Sequence, residues 1–168
     1  MSPKQNSGAD IIDLGPSLSL RGTRMRFERN SEIFGEDEPA EYLYRVVSGA
    51  VRTMRFSSDG RRQILAFHLP GDTFGIETGE AHSCSAEAVN VVEVVMVRRS
   101  LLEKAAEENT KAARRWLEIT SRDLRLAQDH ALILGRKGAG ERVAALLLRF
   151  AERTRGQEDI DRLQPRKL

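Results

Sequence analysis

Turn-forming and acidic residues are concentrated in the stretch GDTFGIETGEAHSCSAEA, residues 71–88, which has the composition of a ligand pocket or of the remains of one. Residues 71–97 contain five carboxylates and no lysine or arginine. The carboxylates are those of Asp72, Glu77, Glu80, Glu87 and Glu93. A phosphate entering this region would face negative charge without a cation, which costs free energy unless helix-terminal amides compensate. The residues therefore predict a pocket that does not hold an anion.

The candidate pocket residues are those that open and close this stretch. They are Gly71, Asp72, Gly75, Ile76, Glu77, Cys84, Ser85 and Ala86. Cys84 is the single cysteine, so neither an internal disulfide nor a cysteine-ligated zinc ion or iron–sulfur cluster is predicted. Its thiol is either a redox switch or a small core group. We favour the core group, because most of its sequence neighbours are polar or acidic.

The three histidines leave one metal-binding alternative open. His68, His82, Glu77 and Glu80 are a conceivable ligand set for a cupin-like enzyme on a β-roll. Such enzymes usually present two histidines one residue apart on one strand, and this sequence has no such pair. We therefore predict no metal, no cofactor and no catalytic residue, and keep the cupin-like enzyme as a minor alternative.

Short extended runs separated by turn residues fill residues 22–98. Around Phe67 apolar residues alternate with His68, so this strand is predicted to be half-buried, with His68 facing solvent or the long helix. Asp59-Gly60 between two extended runs predicts a hairpin. The run VVEVVMV predicts a strand that is buried on both faces. The spacing of these runs is typical of a small antiparallel barrel or roll.

Beyond residue 100 the sequence is rich in helix-forming residues, and its longest predicted helix has two apolar stripes. The first has coiled-coil spacing and consists of Leu117, Thr120, Leu124, Ala127, Ala131 and Leu134. The second consists of Ile119, Leu126 and Ile133, flanked by Trp116 and His130. The two stripes lie about 110° apart around the helix. A helix with two apolar faces must cover both, so we predict that one lies on the roll and the other forms a homodimer.

Length and composition indicate one globular core with a helical extension. The 168 residues are 40% hydrophobic and 31% charged, and the net charge of +2 does not indicate a nucleic-acid partner. No apolar run suits a membrane span or a secretion signal, so a cytoplasmic protein without a membrane partner is expected. The predicted parts are a flexible arm (1–20), a β-roll (21–108), a dimerisation helix (109–136) and a C-terminal helix and tail (137–168).

Three blocks of sequence carry a family resemblance. They are LYRVVSGAVRTMRFSSDGRRQILAFHLPGDTFGIE, CSAEAVNVVEVVMV and ALILGRKGAGERVAALLLRFAER. In this order they resemble the sensory half of CRP/FNR-superfamily transcription regulators, and most of all the FixK group of nitrogen-fixation and microaerobic regulators. The resemblance implies an α+β fold, in which an antiparallel cyclic-nucleotide-binding-type β-roll precedes a long dimerisation helix and a short C-terminal helix. In family members it also implies a winged helix-turn-helix that reads DNA.

The cassette departs from the nucleotide-binding members of that family. Their cassette opens with Gly-Glu, whose glutamate holds the ribose hydroxyl, and closes with Arg-Ser-Ala, whose arginine pairs with the cyclic phosphate. Here these positions read Gly75-Ile76 and Cys84-Ser85-Ala86. Both polar anchors are missing, so a cyclic nucleotide is not expected as a ligand. FixK-like members are similar to this chain in lacking the cysteine cluster of FNR-type oxygen sensors.

The resemblance also implies the function. The sequence after the third block ends TRGQEDIDRLQPRKL, which is too short for a winged helix-turn-helix. We expect the sensory and dimerisation part of a FixK-like transcriptional regulator, truncated and unable to read DNA alone, with DNA a partner of full-length relatives only. The alternatives are a stand-alone interaction or sensor module without DNA binding and, as above, the cupin-like enzyme.

Overall fold

Two antiparallel sheets and three helices make up the part of the chain that the structure, a computed structural model, describes. It describes residues 4–13, 19–77, 79–135 and 138–163. The strands are β1 (Lys4–Asp13), β2 (Ser19–Phe27), β3 (Glu32–Phe34), β4 (Tyr42–Ser48), β5 (Val51–Phe56), β6 (Arg62–His68), β7 (Thr73–Phe74), β8 (Ser85–Ala88) and β9 (Val92–Arg98). The helices are α1 (Arg99–Glu108), α2 (Thr110–Leu134) and α3 (Ala139–Leu163). The sheet orders are β1-β2-β9-β4-β7 and β3-β8-β5-β6, which confirms the predicted α+β fold with an antiparallel roll.

Strand β9 is buried on both faces, as its apolar sequence predicts. On the inner face Val92 and Val94 pack with the aromatic residues of the roll core. On the outer face Val95 and Val97 belong to a second apolar cluster that includes Leu102 of α1. We call this second group the outer cluster. The first sheet therefore lies between two apolar layers, which explains why nearly every residue of β9 is apolar.

The hairpin between β5 and β6 turns where the sequence predicts it. Gly60 has φ +79°, and its N–H donates to the Ser57 carbonyl at 2.8 Å. The Asp59 carboxylate accepts a hydrogen bond from the Arg61 N–H at 3.2 Å. A glycine in the left-handed region preceded by a carboxylate that caps the turn is the local chemistry of an Asp-Gly hairpin.

The prediction for His68 is wrong, because its side chain faces the interior of the roll. The His68 ring lies 5.1 Å from the Phe74 ring, and its Nε2 lies 3.2 Å from Thr53 Oγ1. The pairing of β5 with β6 shifts register between Thr53 and Met54, which leaves Leu65 as an extra residue. This bulge precedes His68, which lies opposite the core residue Val51, whereas Phe67 lies opposite Arg52. All residues from Ile64 to His68 are half-buried, so the apolar residues of this strand do not identify its inner face.

Part of the predicted flexible arm is a strand. Lys4–Asp13 forms β1, which pairs antiparallel with β2 from Lys4 opposite Arg26 to Asp13 opposite Ser19. The prediction of a loose arm is therefore wrong for these ten residues. An edge strand offers unpaired backbone groups to any segment that can lie beside it, and this backbone pairing does not depend on an apolar pattern.

Helix α2 begins where Asn109 interrupts the helical backbone. Asn109 has extended dihedral angles, φ −142° and ψ 110°, and its Oδ1 accepts a hydrogen bond from the Lys111 N–H at 2.9 Å. A side-chain oxygen that satisfies a free N–H is the usual start of a helix. Among the described residues, none of the helices combines the length and the apolar character that crossing a membrane requires.

The chain divides into two compact units, Met1–Leu124 and Arg125–Leu168. In the first unit Trp116 and Ile119 of α2 pack against the outer cluster. In the second unit the Arg149 guanidinium of α3 donates to the Leu126 carbonyl at 2.9 Å. The second apolar stripe of α2 thus contacts the roll through Ile119 in the first unit, and in the second unit α3 is bonded to the α2 backbone at Leu126.

Candidate ligand cassette and the exposed face of helix α2

The cassette, which we define as residues 71–86, opens with a tight turn after β6. Gly71 has φ +89°, and its N–H donates to the Val46 carbonyl at 2.9 Å. The Asp72 side chain is buried, and its Oδ2 accepts a hydrogen bond from the Leu69 N–H at 2.8 Å. Its Oδ1 accepts one from Arg122 Nη2 of α2 at 3.1 Å. Asp72 therefore closes the turn and connects it to the long helix.

Gly75 and Ile76 are the residues that the family resemblance aligns with the Gly-Glu of nucleotide-binding members. Gly75 has φ +73°, and a Cβ added there would lie 3.0 Å from Tyr44 Cδ2 and 3.4 Å from Phe34 Cε1. Ile76 packs against the outer cluster, and Trp116 of α2 packs against the same cluster. Ile76 is thus committed to an apolar contact and offers no polar group to a ligand.

Glu77 is bonded to the cassette itself. Its Oε1 accepts hydrogen bonds from the Ser83 N–H at 3.1 Å and from the Ser83 hydroxyl at 3.0 Å. A ligand hydroxyl would have to compete with both of these bonds. Glu77 therefore joins the beginning of the cassette to its end, which is a structural use of the carboxylate.

Cys84 is the residue that the family resemblance aligns with the phosphate-binding arginine of nucleotide-binding members. Burial, with smaller contributions from the carboxylates of Glu77 and Glu36, raises the pKa of the Cys84 thiol to about 11, against the opposing effect of Arg55. The thiol is consequently protonated and uncharged near neutral pH. A phosphate at this point would meet a neutral group with acidic neighbours.

The last two cassette residues belong to the wall of the roll. The Ser85 side chain is buried, and its hydroxyl accepts a hydrogen bond from the Glu36 N–H at 2.9 Å. Ala86 is fully buried and lies opposite Thr53 on the neighbouring strand β5. Both side chains are therefore committed to packing and to a backbone contact.

Arginines from other elements neutralise several carboxylates of residues 71–97, which sequence reasoning did not reveal. The pairs are Arg122 with Asp72, Arg24 with Glu93, and both Arg52 and Arg62 with Glu87. These arginines come from β2, β5, β6 and α2. Since each is already paired within the chain, an anionic ligand would have to displace a carboxylate to use it.

The residues of the cupin-like alternative are not gathered into a metal site. His68 lies beside Phe74, whereas His82 is stacked on Phe34 with ring centroids 3.7 Å apart. Throughout the described ranges, no three His, Cys, Asp or Glu side chains come together in a group that could hold a metal ion. The geometry therefore lends no support to that alternative.

Helix α2 presents an apolar stripe to solvent. The exposed residues of the predicted seam are Leu117, Thr120, Leu124, Ala127 and Ala131. Leu117 is 67% exposed and Leu124 is 59% exposed, whereas Ala112 and Trp116, on the roll side of the helix, are buried and half-buried. The side chain of Leu134 lies outside the described residues. An isolated chain thus leaves two large apolar side chains of one helix face in water.

An antiparallel roll, a short cassette between two of its strands and a long helix after it define the class of cyclic-nucleotide-binding-type sensory domains. Residues 24–109 match the family model described as "Cyclic nucleotide-binding domain". The nitrogen fixation regulation protein FixK of Azorhizobium caulinodans is 50% identical to this chain over 137 residues, which cover 82% of this chain and 55% of that protein. FixK of Rhizobium meliloti is 36% identical over 154 residues, which cover 90% and 69%.

The solved structure of FixK2 from Bradyrhizobium japonicum has a TM-score of 0.75 and 53% identity, covering 79% of this chain and 67% of that one. The chain belongs to the cyclic nucleotide-binding domain family and, within it, to the FixK-like members of the CRP/FNR superfamily. The resemblance seen in the sequence is thereby confirmed. The matched region spans only 55% and 56% of the length of two curated FixK relatives.

Proposed function

We propose that this chain is the sensory and dimerisation part of a FixK-like transcriptional regulator, which works in the cytoplasm, without catalysis and without a cyclic nucleotide. Two copies associate through α2. In a full-length regulator such a helix pair would hold two DNA-reading domains at the spacing of two half-sites. The names of the FixK relatives, which are regulation proteins, support the regulatory part of this proposal.

The observation that carries the proposal is the exposed stripe of α2. Leu117 and Leu124 are one heptad apart, and the alanines that follow at 127 and 131 allow a second helix to approach closely. Removing a leucine side chain from water contributes about 1.5–3 kcal/mol. A two-fold axis along this stripe brings the same residues of both copies together, so one apolar face covers itself.

Independence from cyclic nucleotides rests on the cassette. Ile76 and Cys84 replace both polar anchors, and Glu77 is hydrogen-bonded to Ser83. Rebuilding the site would require breaking that contact and introducing a cation beside acidic neighbours. The signal that acts on this roll is therefore proposed to be something other than a cyclic nucleotide.

Sedimentation equilibrium tests the proposed interface. We expect the wild-type chain to sediment as a dimer and the Leu124→Glu variant as a monomer, because two carboxylates would face each other in the seam. Leu132→Glu is the matched control, since Leu132 is 72% exposed and lies about 110° around α2 from the centre of the seam. It should remain dimeric.

Two results would contradict the proposal. A wild-type chain that is monomeric across a wide concentration range removes the dimer altogether. A Leu132→Glu variant that dissociates as readily as Leu124→Glu assigns the interface to the wrong face of α2.

A further inference from the structure

His82 is a buried histidine that neither the nucleotide chemistry of the family nor the proposed dimer uses. Its side chain is 1% exposed, and its ring is stacked on Phe34 at 3.7 Å with an interplanar angle of 12°. Its Nδ1 is fully buried and has no hydrogen-bond partner among the described residues. A buried polar atom without a partner is uncommon in folded proteins and calls for a physical reason.

The backbone around His82 joins the cassette to the loop that precedes β4. The His82 N–H donates to the Glu38 carbonyl, and the Asp37 N–H donates to the His82 carbonyl, both at 2.9 Å. The Ala40 N–H donates to the Glu80 carbonyl at 2.8 Å. Residues 80–82 are thus paired with residues 37–40 through backbone hydrogen bonds. His82, whose ring is stacked on Phe34, is the last residue of this paired segment.

Three charged groups face the His82 ring from the elements packed around it. Glu77 of the cassette has its Oε1 3.9 Å from Nδ1, beyond hydrogen-bonding distance. Glu38 lies in the loop, and Arg99 of α1 donates to the Ala40 carbonyl at 3.4 Å. Burial lowers the pKa of His82 from its ordinary value of 6.5; Glu77 and Glu38 oppose this and Arg99 adds to it. The ring is therefore neutral near neutral pH.

We propose that His82 is an acid-sensitive latch, whose protonation releases residues 79–84 of the cassette from the loop at residues 37–40. A protonated ring has two ways to find a partner. Either Nδ1–H and the Glu77 carboxylate, now 3.9 Å apart, move together to hydrogen-bonding distance, or the ring leaves Phe34 for water. Each route shifts the ring or the Glu77 carboxylate from the position that it holds in the closed cassette.

The sign of the pH effect follows from linkage. Because the folded-state pKa of His82 lies below 6.5, the unfolded chain binds more protons as the pH falls below that value. The stability that the neutral ring contributes is fully present above pH 6.5 and is lost as the pH falls through the lower folded pKa. The latch therefore holds at neutral pH and opens in acid.

Opening of the latch would also affect the packing between the cassette and helix α2. Ile76, in the same segment, packs against the outer cluster together with Trp116 and Ile119 of α2. Loosening the cassette thus changes the surface on which the base of the long helix lies. The release of residues 79–84 needs no second copy, so it goes beyond the proposed function and does not depend on it.

Hydrogen exchange measured by mass spectrometry on the full chain tests the latch. Between about pH 7.5 and about pH 5, we expect protection of residues 79–84, corrected for intrinsic exchange rates, to fall at least about tenfold in the wild type. His82→Phe keeps a flat ring on Phe34 but cannot be protonated, so its protection should not change. His130→Gln, which alters a histidine of α2 outside the cassette, should behave like the wild type.

An unchanged wild-type protection, or the same fall in His82→Phe, would overturn the proposal. Glu77→Gln provides a second test that does not depend on the folding of His82→Phe. Removing this carboxylate takes away an effect that raises the pKa of His82, so the acid transition should move to lower pH. A transition that stays in place would also overturn the latch, whereas the sedimentation result for α2 would be unaffected.

Discussion

At the residue scale, Gly75 and Gly60 share a backbone conformation but not an environment. Their φ angles are +73° and +79°, both in the left-handed region that glycine adopts most easily. A Cβ on Gly75 would press against Tyr44 and Phe34, whereas a Cβ on Gly60 would meet nothing within 4 Å. Substituting each glycine by alanine therefore separates two contributions to the loss of stability. One is the strain of a left-handed backbone without glycine, and the other is the crowding of the aromatic core.

We predict that Gly75→Ala destabilises the fold more than Gly60→Ala. Both substitutions carry about 1–2 kcal/mol for the left-handed backbone. Gly75→Ala adds about 1–3 kcal/mol because the new methyl group overfills the contact with Tyr44. Urea denaturation of both variants measures the difference, and equal losses would show that the aromatic core yields to the methyl group without cost.

At the element scale, the turn before β7 has two separable connections. One is local, from the Leu69 N–H to Asp72 Oδ2, and the other is long-range, from Arg122 of α2 to Asp72 Oδ1. The Arg122 side chain is 57% exposed, whereas that of Asp72 is 9% exposed. Because exposed ion pairs are weak and unsatisfied buried donors are costly, the local connection should dominate.

Asp72→Ala is accordingly expected to lower the free energy of unfolding by about 1–3 kcal/mol, because it leaves the Leu69 N–H without its acceptor. Arg122→Gln should lower it by less than about 1 kcal/mol. Thermal or urea denaturation checks both variants. If Arg122→Gln costs as much as Asp72→Ala, then the contact between turn and helix carries more of the stability than its exposure suggests.

At the scale of the whole molecule, the carboxylates of residues 71–97 find their cations on other elements, whereas the helices also hold ion pairs of their own, such as Arg99 with Glu103. The net charge is only +2, yet arginines of four different elements pair with carboxylates that follow β6 and β7. The tertiary structure therefore neutralises a region that is purely acidic in the sequence. The four arginines are paired with these carboxylates, and residues 71–97 themselves contain no cation for a phosphate.

Cyclic AMP and cyclic GMP are therefore expected to leave the melting temperature unchanged. A ligand present at a hundred times its Kd would stabilise the folded chain by about 2.7 kcal/mol, which a melting experiment detects readily. Isothermal titration calorimetry with both nucleotides gives the same information directly. Micromolar binding by either one would contradict the assignment of an emptied pocket and the part of the proposed function that depends on it.

Features that repeat over a few residues were predictable from the sequence. The two-sided burial of β9 follows from its continuous apolar run, and the β5–β6 turn follows from Asp59-Gly60. Two features were missed for opposite reasons. Strand β1 forms through backbone pairing without an apolar pattern. His68 faces inward, opposite Val51, although the alternation of apolar residues on β6 assigns Phe67 to the inner face.

The candidate site was predictable in its composition and not in its contacts. The loss of both polar anchors is visible at Ile76 and Cys84. The bond between Glu77 and Ser83 and the burial of His82 against Phe34 are not, because they depend on how the cassette folds back on itself and on β3. The acidic residues around Cys84 were the one sequence signal for the raised pKa of its thiol. Burial, which raises that pKa most, was not visible in the sequence.

The sequence by itself determined that an antiparallel roll precedes a long helix with two apolar stripes, because periodicity and turn chemistry act between residues that are close along the chain. Only the tertiary structure decided that Arg122 meets Asp72, 50 residues away, and that His82 is buried near Glu77 with no partner for its Nδ1 in the described part of the chain. Contacts of that kind depend on how strands and helices pack. Residues that are far apart along the chain leave no local sequence pattern that shows which charges will pair or which side chain will be buried.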